Sequence, residues 1–542
     1  MTGERLLLSG DDAVALAALH AGVRLGTGYP GTPSTEILET FDRLGGQAQW
    51  SPNEKVALEV GLGSAFAGAR TLVTMKHVGL NVAADPLFTA AYTDILGGLI
   101  VVSADDPGMA SSQNEQDNRH YARAAALPML EPIDSQQAYD FTWLGFEISE
   151  RWKIPVILRV TTRVCHAKTI VRPRATAQSS PQPSFQRDVP ARVMIPAYAK
   201  PAHQRLRQKL ADIAAWNEAE GPVRLDAGDS KLGIVATGIS AVHAREAAPE
   251  ASQLTLGLTY PLPLERIRTF AAGVERLLVI EEGDPVLVDS LRAAGIPAEG
   301  KPEMYRFGEL NVARVRRILA GDTSPEPAPP KGKPPELCQG CSHRGVFEVL
   351  RDLNCIVAGD IGCYTLGVLP PFSAMDTCVC MGASIGVGLG MRHVLPEEQA
   401  RRVVSVIGDS TFVHSGITGL AEMVYNPPST GHLVLILDNG TTAMTGQQEH
   451  PGTGRLLDHS PTGKISFEAL GRAMGIQNVH VVSSQDKEQS LRDLITGLLA
   501  KSETSLVVTR QPCVLAAPKI RFYEKAATGQ TTPDSCAADV VD

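Results

Sequence analysis

The stretch Val403-Val404-Ser405-Val406-Ile407-Gly408-Asp409-Ser410 is an apolar, β-branched run that stops at Gly-Asp. A second run, Leu433–Leu437, stops at Asp438-Asn439-Gly440-Thr441, which places Asn439 30 residues after Asp409. Both runs are continuous rather than alternating, as expected of strands buried on both faces in a parallel sheet covered by helices. Two neighbouring strand ends then present oxygen ligands. A hard cation such as Mg²⁺ takes carboxylate and carbonyl oxygens and commonly bridges to a diphosphate instead of being fully caged by protein. Asp409, the Asn439 side chain and the Thr441 carbonyl would supply three ligands. Gly408 and the backbone N–H groups before Ser410 would approach the anion. The same residues can also serve as a helix N-cap and an ordinary turn. Gly-Asp occurs six times in the chain and Gly-Asp-Ser recurs at 228–230, but only the later copy ends a strong strand and has the Asp-Asn pair at this distance.

Further apolar runs extend the α/β pattern in both directions. Upstream, strands are expected at 71–76, 99–103 and 154–159, with helices over 55–69 and 139–149. Residues 172–192 carry Pro, Gln and Ser without periodicity, and 191–221 is expected to be a linker. A smaller α/β unit follows, with strands at 232–236, 254–258 and 277–281 and a helix over 285–294. Asp322–Pro335 has six prolines in 14 residues and predicts an extended connector. The third unit has strands at 355–358, 403–407, 433–437 and 506–509, and after Pro518 the apolar pattern is lost, so that the tail is frayed or docked on a partner. The expectation is an α/β protein of three doubly wound parallel-sheet domains: 1–190, 222–320 and 336–515.

At 542 residues the chain exceeds what one hydrophobic core usually organises, and 43% hydrophobic with 20% charged residues excludes global disorder. A net charge of −9 with no basic run argues against nucleic acid as a partner. The first ten residues lack a signal-peptide pattern, and the longest apolar run, Ile95–Val102, is too short to span a bilayer. No membrane association is expected, and the cytoplasm is the default location. Nine cysteines are too few for a disulfide scaffold, and five fall between Cys338 and Cys378, which points to thiol or metal chemistry.

The spacing of Gly408-Asp409-Ser410 to Asn439 resembles the thiamine-diphosphate-binding motif. The segments CQGCSHR (338–344), GDIGCYTLG (359–367) and MGASIG (381–386) resemble the large subunit of the indolepyruvate:ferredoxin oxidoreductase family, over about residues 5–515. Gly28-Tyr29-Pro30-Gly31-Thr32-Pro33-Ser34 is similar to the YPxTPS turn of the pyrimidine-binding domain in 2-oxoacid:ferredoxin oxidoreductases. The resemblance implies three domains of the thiamine-diphosphate-binding type: pyrimidine-binding, transketolase-C-terminal-like and diphosphate-binding. It also implies a carboxyl group facing the pyrimidine. Glu54, nine residues before Gly63, matches that glutamate; Glu59, nine before Gly68, is the runner-up. Either can also be read as a carboxylate placed favourably on a helix. His343, beside the CxxC, would donate to the diphosphate.

Cys338, Cys341, Cys363 and Cys513 follow the order of the [4Fe–4S] ligands nearest the thiamine in pyruvate:ferredoxin oxidoreductases. A reduced CxxC or a structural zinc site are the alternatives. Cys165, Cys355, Cys378, Cys380 and Cys536 read as small buried hydrophobes or incidental thiols. Near the substrate, the resemblance places Thr32 beside the carboxylate, and Arg119 could pair with it, although an arginine in a polar stretch is commonly just solvated. Lys76-His77 should sit at a strand end facing the cofactor cleft, with His77 either a proton-transfer group or a structural histidine.

What the resemblance implies as a whole is oxidative decarboxylation of an aryl 2-oxo acid, capture by coenzyme A to give an arylacetyl-CoA, and electrons passed to ferredoxin. The expected assembly is a homodimer of this chain within a heterotetramer containing a small β subunit. The family's large subunit normally ends in a ferredoxin-like domain with two CxxCxxCxxxCP runs. This chain ends at Asp542 with only Cys536 there, so electrons are expected to leave to a separate ferredoxin-like acceptor. Non-oxidative decarboxylation of aromatic 2-oxo acids is the alternative, and a non-catalytic scaffold subunit is disfavoured by the presence of both Glu54 and the metal motif.

Overall fold

The computed structural model describes residues 5–176, 182–327, 332, 334–483 and 488–527. The chain divides into two compact units, residues 1–328 and 329–542, and the division falls in the proline-rich stretch.

The first unit is built on a seven-stranded sheet. In spatial order its strands are Leu258–Tyr260, Met129–Leu130, Val156–Thr161, Leu99–Asp105, Thr71–Lys76, Leu25–Gly28 and Ala48–Trp50. Every pairing is parallel except that of Leu258–Tyr260 with Met129–Leu130. Leu99–Asp105 is buried along its whole length, as a central strand covered on both faces must be. A second sheet in the same unit has the order Arg276–Ile280, Asp229–Thr237, Ala251–Leu256 and Val223–Asp226, with only the last pairing antiparallel. The chain leaves this second sheet after Leu256 and at once adds Leu258–Tyr260 to the edge of the first. The segment read as a smaller domain therefore contributes a strand to its larger neighbour.

Residues expected to form a linker are instead the 24-residue helix Pro196–Ala219. Its buried Leu206, Leu210 and Ile213 recur at helical spacing and belong to the core of the seven-stranded sheet. The interrupting polar residues and Pro201 conceal that stripe in the sequence, and Pro201 is accommodated within the first turns of the helix.

A buried ionic network joins the two sheets of this unit. Arg159 Nε donates to Asp105 at 2.7 Å and its Nη1 to Glu131 at 2.7 Å, while Arg119 bridges Asp117 and Glu281. Beside it Lys301 Nζ donates to the Glu281 and Gly283 carbonyls, and burial drops its ammonium to about 8. Glu282 is buried, and its carboxylate accepts only the Leu310 N–H at 2.8 Å among the hydrogen bonds found for it. Burial pushes its carboxyl up to about 7. A raised carboxyl pKa means that the folded state binds the proton more tightly than the unfolded chain does. Its stabilising contribution is complete below about pH 4.5 and disappears as pH rises through about 7. Glu282→Gln keeps the acceptor for Leu310 without the charge. The variant should match the parent in thermal melting near pH 4 and exceed it by about 2–3 kcal/mol above pH 8. Identical melting curves at both ends would show that Glu282 is ionised at little cost.

The second unit carries a wholly parallel five-stranded sheet in the order Ile356–Ala358, Val403–Gly408, His432–Asp438, Thr504–Arg510, Asn478–Ser483. Helix His343–Asp352 and helix Glu488–Leu499 pack on one face, and Ala383–Val394 and Ile417–Tyr425 on the other. The edge strand Asn478–Ser483 was not anticipated, because its half-exposed residues show no continuous apolar run. The tail forms helix Ala517–Ala527. Cys536 lies outside the described residues.

Candidate functional site

In a doubly wound sheet the loops that can hold a ligand leave the carboxyl ends of the strands. In the second unit Gly408 pairs with Leu437, so Asp409 and Asp438-Asn439 emerge side by side. Asp409 is buried; its Oδ1 accepts Ser410 N–H at 2.8 Å and its Oδ2 accepts Gly440 N–H at 2.8 Å. Thr441 N–H closes on the Asn439 Oδ1 at 3.1 Å. The Ser410 hydroxyl accepts from Thr442 at 2.9 Å. The structure thus brings Gly408, Asp409, Ser410, Asn439 and Thr441 around one crossing of two loops. Immediately after Asp409 the helix widens into a π-turn over Phe412–Gly416, a distortion common beside functional sites.

The candidate metal ligands Asp409, Asn439 and Thr441 offer oxygen, and Asp409 and Asp438 bring negative charge. Asp438 has its carboxyl pushed up, first by burial and then by the neighbouring Asp409 charge, although Arg510 donates to it at 2.7 Å. A divalent cation suits these hard donors and would relieve that repulsion. Burial alone would raise Asp409, yet its carboxyl is held below the usual range by His450 and by the Ser410 and Gly440 N–H donors. His450 lies with Nε2 3.3 Å from Asp409 Oδ2. It escaped the sequence reading because no spacing rule links it to Asp409. Asp360 escaped too: it is buried and accepts Ile361, Gly382 and Ser384 N–H groups, the last two at the start of helix Ala383–Val394. The signal for it was the Gly-Asp at 359–360, one of the six copies.

His343 is buried beside the same loop, its Nε2 3.5 Å from Asn439 Nδ2, and burial drops its imidazole to about 4 despite the nearby Asp409 charge. It is therefore a neutral ring at physiological pH. Cys341 stands two residues before it, with Cys341 N–H donating to the Cys338 carbonyl at 3.1 Å, and Cys513 N–H donates to the Asn439 carbonyl at 2.9 Å. The Cys363 thiol is pushed up to about 11, first by burial and then by Cys513, Cys341 and Cys338, so the four predicted cysteines share one neighbourhood. Among the described residues no three of these thiols lie within 4.8 Å of one another, closer than which a single tetrahedral ion would draw its ligands. An iron–sulfur cube, with one iron at each thiolate-bound corner, suits a wider set. All eight described cysteines are unpaired. Of the thiols read as buried or incidental, Cys165 is buried, Cys355 half-buried, and Cys378 and Cys380 are exposed.

In the first unit Gly28 pairs with both Thr74 and Trp50, which gathers the loops after three parallel strands at one edge. The turn holding Thr32 is locked by Gly31 N–H to the Thr35 hydroxyl at 3.0 Å and by the Ser34 hydroxyl to the Gly31 carbonyl at 2.9 Å. Thr32 itself is half-buried. Glu54 opens helix Glu54–Phe66, capped by Asn53, whose side chain accepts Val56 N–H at 2.9 Å. Its carboxylate is buried against Gly79, where an added Cβ would lie 2.5 Å from Oε1, so only glycine leaves the acid its place. Glu59 is different: it is exposed and ion-paired with Lys55.

Two expectations are corrected. Arg119 is not available to a substrate carboxylate, because its guanidinium is buried and spends its donors on Asp117, Glu281 and the carbonyls of Glu282 and Asp284. His77 does not face a cleft. It has no exposed surface, Nε2 contacts the Asn114 carbonyl at 3.1 Å, and a carbonyl only accepts, so its one N–H is committed there. Neighbouring Lys76 donates to the Ser111 carbonyl at 2.6 Å. No helix among the described residues is long and apolar enough to cross a membrane.

Comparison with known proteins adds to this geometry. Residues 16–213 match the family model "Pyruvate flavodoxin/ferredoxin oxidoreductase, thiamine diP-binding", and residues 360–509 match "Thiamine pyrophosphate enzyme, C-terminal TPP binding domain". The chain is 38% identical to the indolepyruvate oxidoreductase subunit IorA of Methanothermobacter thermautotrophicus, over 97% of this chain and 90% of that one. It is 37% identical to the protein of the same name from Pyrococcus horikoshii, over 95% and 86% respectively. Among solved structures, a 2-oxoglutarate:ferredoxin oxidoreductase from Magnetococcus marinus aligns with TM-score 0.50 at 16% identity, covering 59% of this chain and 65% of that one. At that identity the likeness is one of fold.

Proposed function

Because the chain belongs to the family of indolepyruvate oxidoreductase IorA subunits, enzymes that bind thiamine diphosphate, we propose that it oxidatively decarboxylates aryl 2-oxo acids of the indolepyruvate type. The products are an arylacetyl-CoA and electrons for ferredoxin or a ferredoxin-like acceptor. Bound thiamine diphosphate supplies the electron sink for loss of carbon dioxide. The protein's own residues then hold and orient. Asp409, the Asn439 Oδ1 and the Thr441 carbonyl would hold Mg²⁺ when the diphosphate is bound, Gly408 and Ser410 would let backbone approach the anion, and neutral His343 would offer a hydrogen bond without adding charge. Glu54 presents its buried carboxyl to the pyrimidine, and Thr32 meets the substrate carboxylate.

The observation that carries the redox half of this reading is that Cys513 N–H is bonded to the Asn439 carbonyl. Cys338, Cys341 and Cys363 influence one another and Cys513, so a [4Fe–4S] cluster on the four would lie near the loop proposed to hold the cation. The resemblance to a multi-subunit family supports a small β subunit as partner and a homodimer of this chain within a heterotetramer. Free thiols and oxygen-sensitive cluster chemistry suit the reducing cytoplasm.

The test is anaerobic purification followed by iron and sulfide quantitation. About four irons per chain are expected, lost together with the visible absorbance on Cys363→Ser. A colourless, iron-free chain that retains thiamine diphosphate and releases aldehyde from an aryl 2-oxo acid would move the reading to non-oxidative decarboxylation.

A further inference from the structure

The first unit holds a second set of metal-type side chains, none of them assigned above to cofactor or cluster. Asp11 lies on helix Gly10–His20, Glu36 on helix Thr35–Arg43 and His166 at the end of helix Thr162–His166. Their ligand atoms lie within 4.8 Å of one another. What brings them together is a close backbone approach at Gly10, where an added Cβ would lie 2.1 Å from the Val164 carbonyl oxygen. Only glycine allows the helix to start there.

Asp11 is the telling member. The helix cap is already made by Ser9 and Asp12, which exchange hydrogen bonds at 2.7–3.4 Å, so capping does not explain Asp11. Its carboxylate is 2% exposed, and neither oxygen has a nitrogen or oxygen donor as a partner. The neighbour it does have is the thiol of Cys165, a weak donor. A buried carboxylate left in this condition is costly unless a proton or a cation neutralises it; burial pushes the Asp11 carboxyl up, and two further ligand-type side chains within reach offer the cation its place. Glu36 and His166 are both exposed and have the freedom to close on such a cation.

We propose that Asp11, Glu36 and His166 bind a divalent transition-metal ion of the zinc type. Two carboxylates and an imidazole suit zinc and its neighbours, which bond at about 2.0–2.2 Å, better than Mg²⁺ or Ca²⁺, which favour oxygen alone. Three protein ligands leave at least one coordination position open. His166 also lines an open cavity of about 540 Å³ with Thr162, Arg163 and Glu309, so the ion is reachable from solvent. The bound ion ties together three helices that, among these side chains, only the weak Cys165 thiol contact to Asp11 otherwise links. The site stands independently of the thiamine reading.

The test uses the full chain carrying Cys338→Ser and Cys341→Ser, which breaks the four-thiolate set that would compete for zinc. The protein is stripped with a chelator, and saturating Mg²⁺ and thiamine diphosphate are then added. Zinc is titrated in competition with a chromophoric chelator, and thermal melting is followed in parallel. About one Zn²⁺ per chain is expected, with a zinc-dependent rise in melting temperature. His166→Ala and Glu36→Gln should each weaken binding about tenfold or more and reduce the rise, and Asp11→Asn should abolish both. Glu36 and His166 are exposed, so their variants answer the question even if Asp11→Asn does not fold. Absence of zinc uptake, or unchanged affinity in the His166→Ala, Glu36→Gln double variant, would overturn the site and leave Asp11 as a buried neutral acid.

Discussion

Glu54→Gln is expected to bind thiamine diphosphate and Mg²⁺ as the parent does, while its turnover of aryl 2-oxo acids falls about 10²–10⁴-fold, the range for loss of a positioned acid–base group. The geometry separates the two effects. Glu54 sits in the first unit at the carboxyl edge of a parallel sheet, whereas the residues proposed to hold the cation lie in the second. Glutamine keeps the shape and a hydrogen-bonding oxygen against Gly79, so packing survives and only the ionisable proton is lost. Glu59→Gln is the control. That carboxylate is exposed and paired with Lys55 on the helix surface, where such a pair contributes about 0.3–0.5 kcal/mol, and its removal should leave the rate within about twofold. Cofactor binding by calorimetry and turnover under saturating cofactor distinguish these outcomes. A Glu54→Gln enzyme with full activity would remove Glu54 from the mechanism.

The complementary experiment is Asp409→Ala, for which Mg²⁺-dependent retention of thiamine diphosphate should fall by at least about a hundredfold. The substitution deletes the charged ligand and strands two N–H donors, the buried one of Ser410, a loss of about 1–3 kcal/mol, and the half-buried one of Gly440. Because that could also loosen the loop, Asp409→Asn is the informative partner. It retains an acceptor for one of the two N–H groups and removes the charge, so it should fold and still fail to hold the cation. Unchanged Mg²⁺-dependent cofactor binding in Asp409→Asn, with native melting, would mean that the cation is held elsewhere. Together the two sites predict opposite phenotypes: an inactive holoenzyme from Glu54→Gln and a cofactor-free chain from Asp409→Asn.

Much of this was legible because strand ends are local features. Thr71–Lys76 was expected with the boundaries it has, and the runs ending at Gly408 and Asp438 differ from expectation by one residue at their edges. Glu54 was separable from Glu59 only by resemblance; both lie nine residues before a glycine, and burial is what distinguishes them. The helix Pro196–Ala219 was illegible for a different reason. Its stripe of Leu206, Leu210 and Ile213 is thin, and the core it joins is assembled from segments far upstream in the chain.

By itself the sequence determined the parallel strands, the glycine-rich turns at their carboxyl ends and the chemistry of the residues placed there. Those follow from steric limits and apolar patterning within a few residues. Only the tertiary structure decided what the long polar side chains do. Arg119 turns inward to Glu281, 162 positions away, instead of toward a substrate. His77 closes on the Asn114 carbonyl, and Asp11 meets His166 across a gap that Gly10 alone permits. A charged side chain takes the partner that best repays its desolvation, and that partner is fixed by which loops the sheets bring together, a quantity no local pattern contains.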